Sequence, residues 1–168
     1  MIRKALKKDY TKILRLNQND VEMLSPLDEN ILMRMDELSE IFNVIEHENE
    51  VVAFILAFRD GCDYWSDNYQ WFMDNYSNFI YIDRIVIDEN HRRQGTAQKL
   101  YEDIFDYALK NGHDMVCAEI DIEPEYNYPS IKFHKKMGFR EVGTRISKQT
   151  LTVSLQIKEI GNPSKEVI

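Results

Sequence analysis

The chain is poor in the residues that build special-purpose scaffolds. Its two cysteines, Cys62 and Cys117, form neither a disulfide framework nor a metal-ligand spacing. With only 6 glycines and 4 prolines it is not a collagen-like or low-complexity chain. Basic residues are outnumbered, 21 Lys and Arg against 29 Asp and Glu, for a formal net charge of −8. Nucleic-acid binders usually carry a basic face, so that class is disfavoured. A local pair of arginines can still serve a phosphate on an acidic protein. There is no apolar run long enough to span a bilayer and no secretory signal pattern, so no membrane partner and a cytoplasmic location are expected. No internal repeat is visible.

What is present reads as one globular domain. A length of 168 residues can bury a sizeable core, and 43% hydrophobic with 30% charged residues is ordinary for a soluble fold. Residues 1–160 are expected to form that domain and 161–168 a frayed tail. Residues 1–6 read as a short strand. A helix follows from about Asp9, with Asp9 as N-cap and Tyr10, Ile13, Leu14 and Asn17 on one face. Ser25-Pro26 is expected to open a second helix bearing Ile31, Leu32, Met35, Leu38 and Phe42. Residues 42–48 and 51–58 form a hairpin around Glu48-Asn49-Glu50. The second arm is apolar without alternation, as a strand covered on both faces should be.

An insert at 62–78 carries Tyr64, Trp65, Tyr69, Trp71, Phe72 and Tyr76 among Asp and Asn. One reading is a short amphipathic helix over 67–75 that docks its rings on the sheet edge, since Tyr69, Phe72 and Tyr76 fall at helical spacing. The other is an aromatic wall for a substrate or a second subunit, which makes a homodimer conceivable. The two readings are compatible.

Residues 80–109 organise the rest. An apolar strand (80–87) ends in the polar turn Asp88-Glu89-Asn90-His91, then comes Arg92-Arg93-Gln94-Gly95-Thr96-Ala97. A helix follows with Leu100, Tyr101, Ile104, Phe105 and Ala108 inward and Gln98, Lys99, Glu102, Asp103 and Asp106 outward, stopping at Asn111-Gly112. Strand, tight loop and helix N-terminus together make an anion site. Gly95 allows close approach to the backbone, and Arg92 and Arg93 add charge. By residues alone the loop is either a diphosphate cradle or a basic turn. It is not a Walker loop, and it lacks the three-glycine dinucleotide fingerprint. A strand over 115–122 places Val116, Ala118, Ile120 and Ile122 on one face and Cys117, Glu119 and Asp121 on the other; it is expected to pair in parallel with 80–87. A helix starts near Asn127 with Pro129 in its first turn, Phe133 and Met137 facing inward, and Gly138 at its end. Strands at 139–144 and 150–157 complete an α+β (mixed α/β) fold: a central, mostly antiparallel sheet with one parallel crossover and helices on both faces.

Two motifs carry a resemblance. Arg92-x-x-Gly95-x-Ala97, five residues past Ile87, resembles the acyl-CoA pyrophosphate loop of the GNAT N-acetyltransferase superfamily, Arg/Gln-x-x-Gly-x-Gly/Ala. Asn127-x-x-Ser130-x-x-Phe133-His134-x-x-x-Gly138-Phe139 is similar to the family's Asn-x-x-Ala/Ser-x-x-Leu/Phe-Tyr-x-x-x-Gly-Phe segment. Together they are specific. The resemblance implies acetyl-CoA as co-substrate, no metal, and transfer to an amine of a small molecule or peptide, with a non-catalytic acyl-CoA-binding module as the alternative. It implies cofactor contacts from Ile85 and Ile87 through main chain, from Arg92, Arg93, Gln94, Gly95, Thr96 and Ala97, and from Asn127 and Ser130. Many members place a general-acid tyrosine where this chain has His134. That histidine is therefore a candidate proton donor, with Tyr126 and Tyr128 as alternatives, or else a core histidine satisfied by a carbonyl. A base is also needed to deprotonate the amine, and Asp83 and Glu119, followed by Asp121, are the strand carboxylates placed to serve; each could equally sit in an ion pair or solvate a sheet edge. Cys117 has no activating histidine beside it in the sequence, so direct attack by the amine is expected.

Overall fold

The computed structural model describes residues 1–20 and 25–161. Among these, seven strands form one sheet: β1 (Ile2–Lys4), β2 (Ile41–His47), β3 (Glu50–Arg59), β4 (Phe79–Ile87), β5 (Met115–Glu123), β6 (Arg140–Ile146) and β7 (Thr152–Glu159), in the order β1-β2-β3-β4-β5-β7-β6. The helices are α1 (Tyr10–Asn19), α2 (Glu29–Leu38), α3 (Asp67–Asn75), α4 (Thr96–Lys110) and α5 (Tyr128–Lys136). The fold is α+β, with a mixed, mostly antiparallel sheet; β4 and β5 are parallel, joined through α4. Two compact units emerge, Met1–Phe58 with Ile82–Asp103 and Arg59–Tyr81 with Ile104–Ile168, and the chain passes between them at the end of β3 and inside β4 and α4.

In the first unit the β2–β3 hairpin turns through Glu48 and Asn49 at φ 50° and 67°. Two left-handed residues match the right-handed twist of the strands. Every β3 residue from Val51 to Phe58 is buried, which is why its sequence does not alternate. Asp9 stands at the N-cap of α1 as expected, but its side chain makes no cap bond to that helix. Its carboxylate accepts from Arg3 at 2.8 and 2.9 Å and from the Leu6 N–H at 2.8 Å, inside a 3-10 turn at Lys7–Asp9. A bidentate guanidinium is the stronger partner, and with that N–H it holds Asp9 below the usual carboxylate range. The second helix starts at Glu29, not at Ser25-Pro26. Asp28 caps it, accepting from the Ile31 N–H at 2.8 Å, while the Ser25 carbonyl and hydroxyl both accept from Arg84. Asp28→Ala should therefore lower stability by about 1 kcal/mol, and Asp28→Asn should not. Urea unfolding of both variants checks this; equal midpoints would remove the cap from the account.

In the second unit the insert is a docked helix. Ser66 caps α3 through the Tyr69 N–H, and Tyr69 and Phe72 are buried against the β4 rings of Phe79 and Tyr81. Arg145 of β6 anchors the start of α3, donating to Asp67 at 2.9 Å and Asn68 at 2.6 Å. α4 ends at Lys110, and the chain turns at Gly112 (φ 75°), after which the His113 N–H reaches back to the Ala108 carbonyl. In α5 the inward position is His134, which is buried, while Phe133 and Met137 are half-buried. The ring of His134 sits 5.0 Å from Phe139 and 5.5 Å from Phe133, and its Nδ1 is satisfied within the helix, so burying it leaves that atom bonded. β7 starts at Thr152 rather than 150, because Thr150 turns at φ 61°. The expected tail falls almost wholly at 162–168, outside the described residues.

Candidate active site

β4 delivers the first part of the site. Its Asp83, Ile85 and Ile87 share the less buried face, while Ile82, Arg84 and Val86 are buried. Past Ile87 the chain is pinned: the Asp88 N–H donates to the Val52 carbonyl at 2.7 Å, and the Asp88 carboxylate accepts from the Asn90 N–H at 2.9 Å. That N–H, with His91 nearby, keeps the Asp88 carboxyl below its usual range. After a 3-10 turn at Glu89–His91 the loop takes two left-handed residues in three positions, Arg93 at φ 62° and Gly95 at φ 77°. A tight turn of this kind gathers backbone N–H groups at the start of α4, whose first intrahelical closure runs from the Lys99 N–H to the Gly95 carbonyl at 3.1 Å.

The side chains of this loop face solvent. Arg92, Arg93, Gln94 and Gly95 are exposed, and Thr96 and Ala97 are half-buried. Arg92 donates to the Ile87 carbonyl at 3.2 Å and to Asp20, at the end of α1, at 2.9 Å. The Thr96 hydroxyl donates to the His91 carbonyl at 3.4 Å. A Cβ built on Gly95 would meet nothing within 4 Å, so an anionic group has room to approach the backbone there. Asp83 pairs with Arg84 at 2.7 Å, its side chain only 7% exposed. Arg84 also donates to the Asn17 side chain at 3.0 Å and to Ser25.

The second unit holds the remaining predicted residues. Glu119 on β5 is half-buried, with both carboxylate oxygens at the Tyr81 hydroxyl, 2.6 and 2.8 Å away. Burial alone raises the Asp121 carboxyl above the usual range. Cys117 is fully buried, and burial, with the Glu119 charge second, raises its thiol well above the ordinary value, so it stays protonated and inert. Asn127 caps α5, its side-chain oxygen accepting from the Ser130 N–H at 3.3 Å, which leaves its amide NH₂ to donate outward. Tyr126 and Tyr128, on either side, are 56% and 62% exposed.

His134 Nδ1 lies 2.8 Å from the Ser130 carbonyl. A carbonyl only accepts, so Nδ1 carries the proton and Nε2 of the neutral ring is unprotonated. Burial pulls the His134 pKa below its ordinary value, opposed by that same carbonyl bond. The structure thus joins Asn127 to Ser130 and Ser130 to His134, Asp83 to Arg84, and Glu119 to Tyr81. Tyr81 and Asp20 have no counterpart among the residues read from sequence. A tyrosine amid isoleucines at 80–87 was the available sign of the first; nothing local marks the second. Among the described residues no three or more His, Cys, Asp or Glu side chains are grouped to hold a metal, and no helix is long and apolar enough to cross a membrane.

The profile of the acetyltransferase (GNAT) family matches residues 2–139. Among solved structures, Ard1 from Thermoplasma volcanium superposes with a TM-score of 0.78 at 18% identity, covering 96% of this chain and 98% of that one. The ribosomal-protein-S18-alanine N-acetyltransferase from Escherichia coli gives 0.74 at 15% identity, covering 96% and 94%. The yncA protein of Salmonella typhimurium, solved with its cofactor acetyl-CoA, gives 0.72 at 17% identity, covering 96% and 94%. At these identities the likeness is one of fold. No curated protein sequence matches the chain significantly.

Proposed function

Because this chain belongs to the GNAT acetyltransferase family, we propose that it transfers the acetyl group of acetyl-CoA directly to an amine of a small molecule or peptide. The observation that carries the reading is the loop between β4 and α4: left-handed Gly95 with open space above it, exposed Arg92 and Arg93, and a helix N-terminus immediately after. These residues suit a pyrophosphate. Arg92 and Arg93 supply charge, the amides around Gly95, Thr96 and Ala97 supply donors, and Gln94 adds a neutral one. Ile85 and Ile87 offer main-chain groups to the pantetheine arm.

Acetyl-CoA supplies an activated acyl group as a thioester. Glu119 takes a proton from the acceptor ammonium, and the amine lone pair then forms the C–N bond as the C–S bond breaks. The nitrogen, positively charged once the C–N bond forms, sheds its extra proton to solvent to leave the neutral amide, and the departing thiolate needs a proton. His134 provides one only from its doubly protonated form, since the neutral ring is unprotonated at Nε2; Tyr126 and Tyr128 are the other donors at hand. Asp83, held by Arg84, is the weaker candidate for the base.

Thiol release from acetyl-CoA across a panel of small amines and peptides tests the proposal, with Arg92→Ala alongside. Loss of a charge-assisted contact to phosphate should raise KM for acetyl-CoA by about 10- to 100-fold. Tight CoA binding with no thiol release for any acceptor would point to a non-catalytic acyl-CoA module. Absence of CoA binding would end the reading.

A further inference from the structure

Tyr81 is fully buried in β4, its ring enclosed by Tyr69 at 5.4 Å, Phe72 at 5.8 Å and Tyr64 at 6.4 Å between centroids. A phenylalanine would fill this space as well, as Phe72 and Phe79 do beside it. What tyrosine adds is a hydroxyl, and a buried hydroxyl is costly unless it is bonded. This one donates to Glu119, whose oxygens lie 2.6 and 2.8 Å away. The strand register explains the meeting: Tyr81 stands opposite Cys117 in the parallel pair, and Glu119, two residues on, projects from the same face of β5. A phenol has a single proton, so it donates to one carboxylate oxygen at a time, and a carboxylate has lone pairs beyond the one that accepts it. The aromatic cage stops the ring from swinging away, so the carboxylate is tied to a fixed point.

We propose that Tyr81 is a positioning residue for acetyl transfer, its hydroxyl holding the Glu119 carboxylate in the orientation in which it accepts the proton of the acceptor amine. The proposal rests on the acetyltransferase reading with Glu119 as base. The proton moves from the acceptor ammonium to Glu119, and Tyr81 keeps its own throughout. Removing a hydrogen bond that orients a base costs alignment, and misalignment is felt in turnover rather than in binding.

The test is steady-state kinetics of the whole chain with the best acceptor from the panel, using wild type, Tyr81→Phe, Glu119→Gln and the double variant. Thermal midpoints and CoA affinity are measured on each. Tyr81→Phe is expected to lower kcat by about 10- to 100-fold with KM and CoA affinity within about twofold. It should cost nothing more in the Glu119→Gln background, because Tyr81 acts through Glu119. Glu119→Asp keeps the charge but withdraws it from the hydroxyl, so it should fall by a similar factor and respond little to Tyr81→Phe. Losses that multiply in the double variant would make Tyr81 an independent structural residue and overturn the proposal. So would full turnover in Tyr81→Phe or in Glu119→Asp. Normal Tyr81→Phe beside a dead Glu119→Gln sinks this inference alone. An active Glu119→Gln removes Glu119 as the base and this inference with it, whereas a wild type without turnover on any acceptor removes the acetyltransferase reading as well.

Discussion

Glu119→Gln is expected to lower kcat for acetyl transfer by about 10²- to 10⁴-fold while CoA affinity stays within about twofold. The substitution is isosteric. The amide oxygen can still accept from the Tyr81 hydroxyl, so the strand contact survives and the ability to take up a proton is lost. The size of the loss should depend on the acceptor. An amine that is already neutral at the assay pH has no proton to give up before attack, so its turnover should suffer much less than that of an alkylammonium. Comparing the two acceptor types on one variant separates a lost base from a damaged site. Unchanged kcat with an alkylamine would move the role to Asp121. That carboxyl lies two residues along the same β5 face, and burial already makes it readier to hold a proton. Asp121→Asn would then carry the loss.

The largest effect on stability is expected from Arg84→Leu, about 3–5 kcal/mol in urea unfolding. Arg84 is buried and donates to Asp83 at 2.7 Å, to the Asn17 side chain at 3.0 Å, and to the Ser25 carbonyl and hydroxyl at 3.1 and 2.9 Å. Leucine takes the guanidinium from a carboxylate whose side chain is 7% exposed, and from the polar atoms of Asn17 and Ser25. The cost is mainly that of buried groups deprived of their donor, so removing the charge on Asp83 as well should restore part of it. Asp83→Asn with Arg84→Leu is therefore expected to be more stable than Arg84→Leu alone. A single variant within 1 kcal/mol of wild type would show that the buried network contributes little, contrary to what one-sided removal of a buried charge costs.

The two substitutions bear on different kinds of legibility. The loop at 92–97 is legible because its chemistry is local. A strand end, a glycine that must go left-handed and a helix start all lie within a dozen residues, and no distant partner is needed to recognise them. The docked helix at Asp67–Asn75 is legible for the same reason, through the spacing of Tyr69, Phe72 and Tyr76. The Asp9 carboxylate and Ser25 are each drawn off by a partner that local pattern cannot supply: Arg3 takes the carboxylate, so that Asp9 stands at the N-cap of α1 without a cap bond, and Arg84, 59 residues away, takes the serine expected to open α2. At His134 the helical periodicity identified an inward face but placed Phe133 and Met137 on it. The imidazole goes inside instead, because its Nδ1 proton is satisfied one turn back by Ser130.

Period and turn chemistry, read along the chain, were enough for the α+β class, the order of elements and the tight turn before the helix at 96–110, since each depends on interactions spanning a few residues. Tertiary structure alone gave the strand carboxylates different partners. Asp83 and Glu119 look alike in sequence, each in an apolar strand with a titratable side chain on alternate positions. Folding gives Asp83 a guanidinium and Glu119 a phenol, the latter because the parallel register brings Tyr81 beside Cys117 and so within reach of the residue two further on. Which side chain meets which across a sheet is decided by register and burial, and neither is written in any short stretch of the chain.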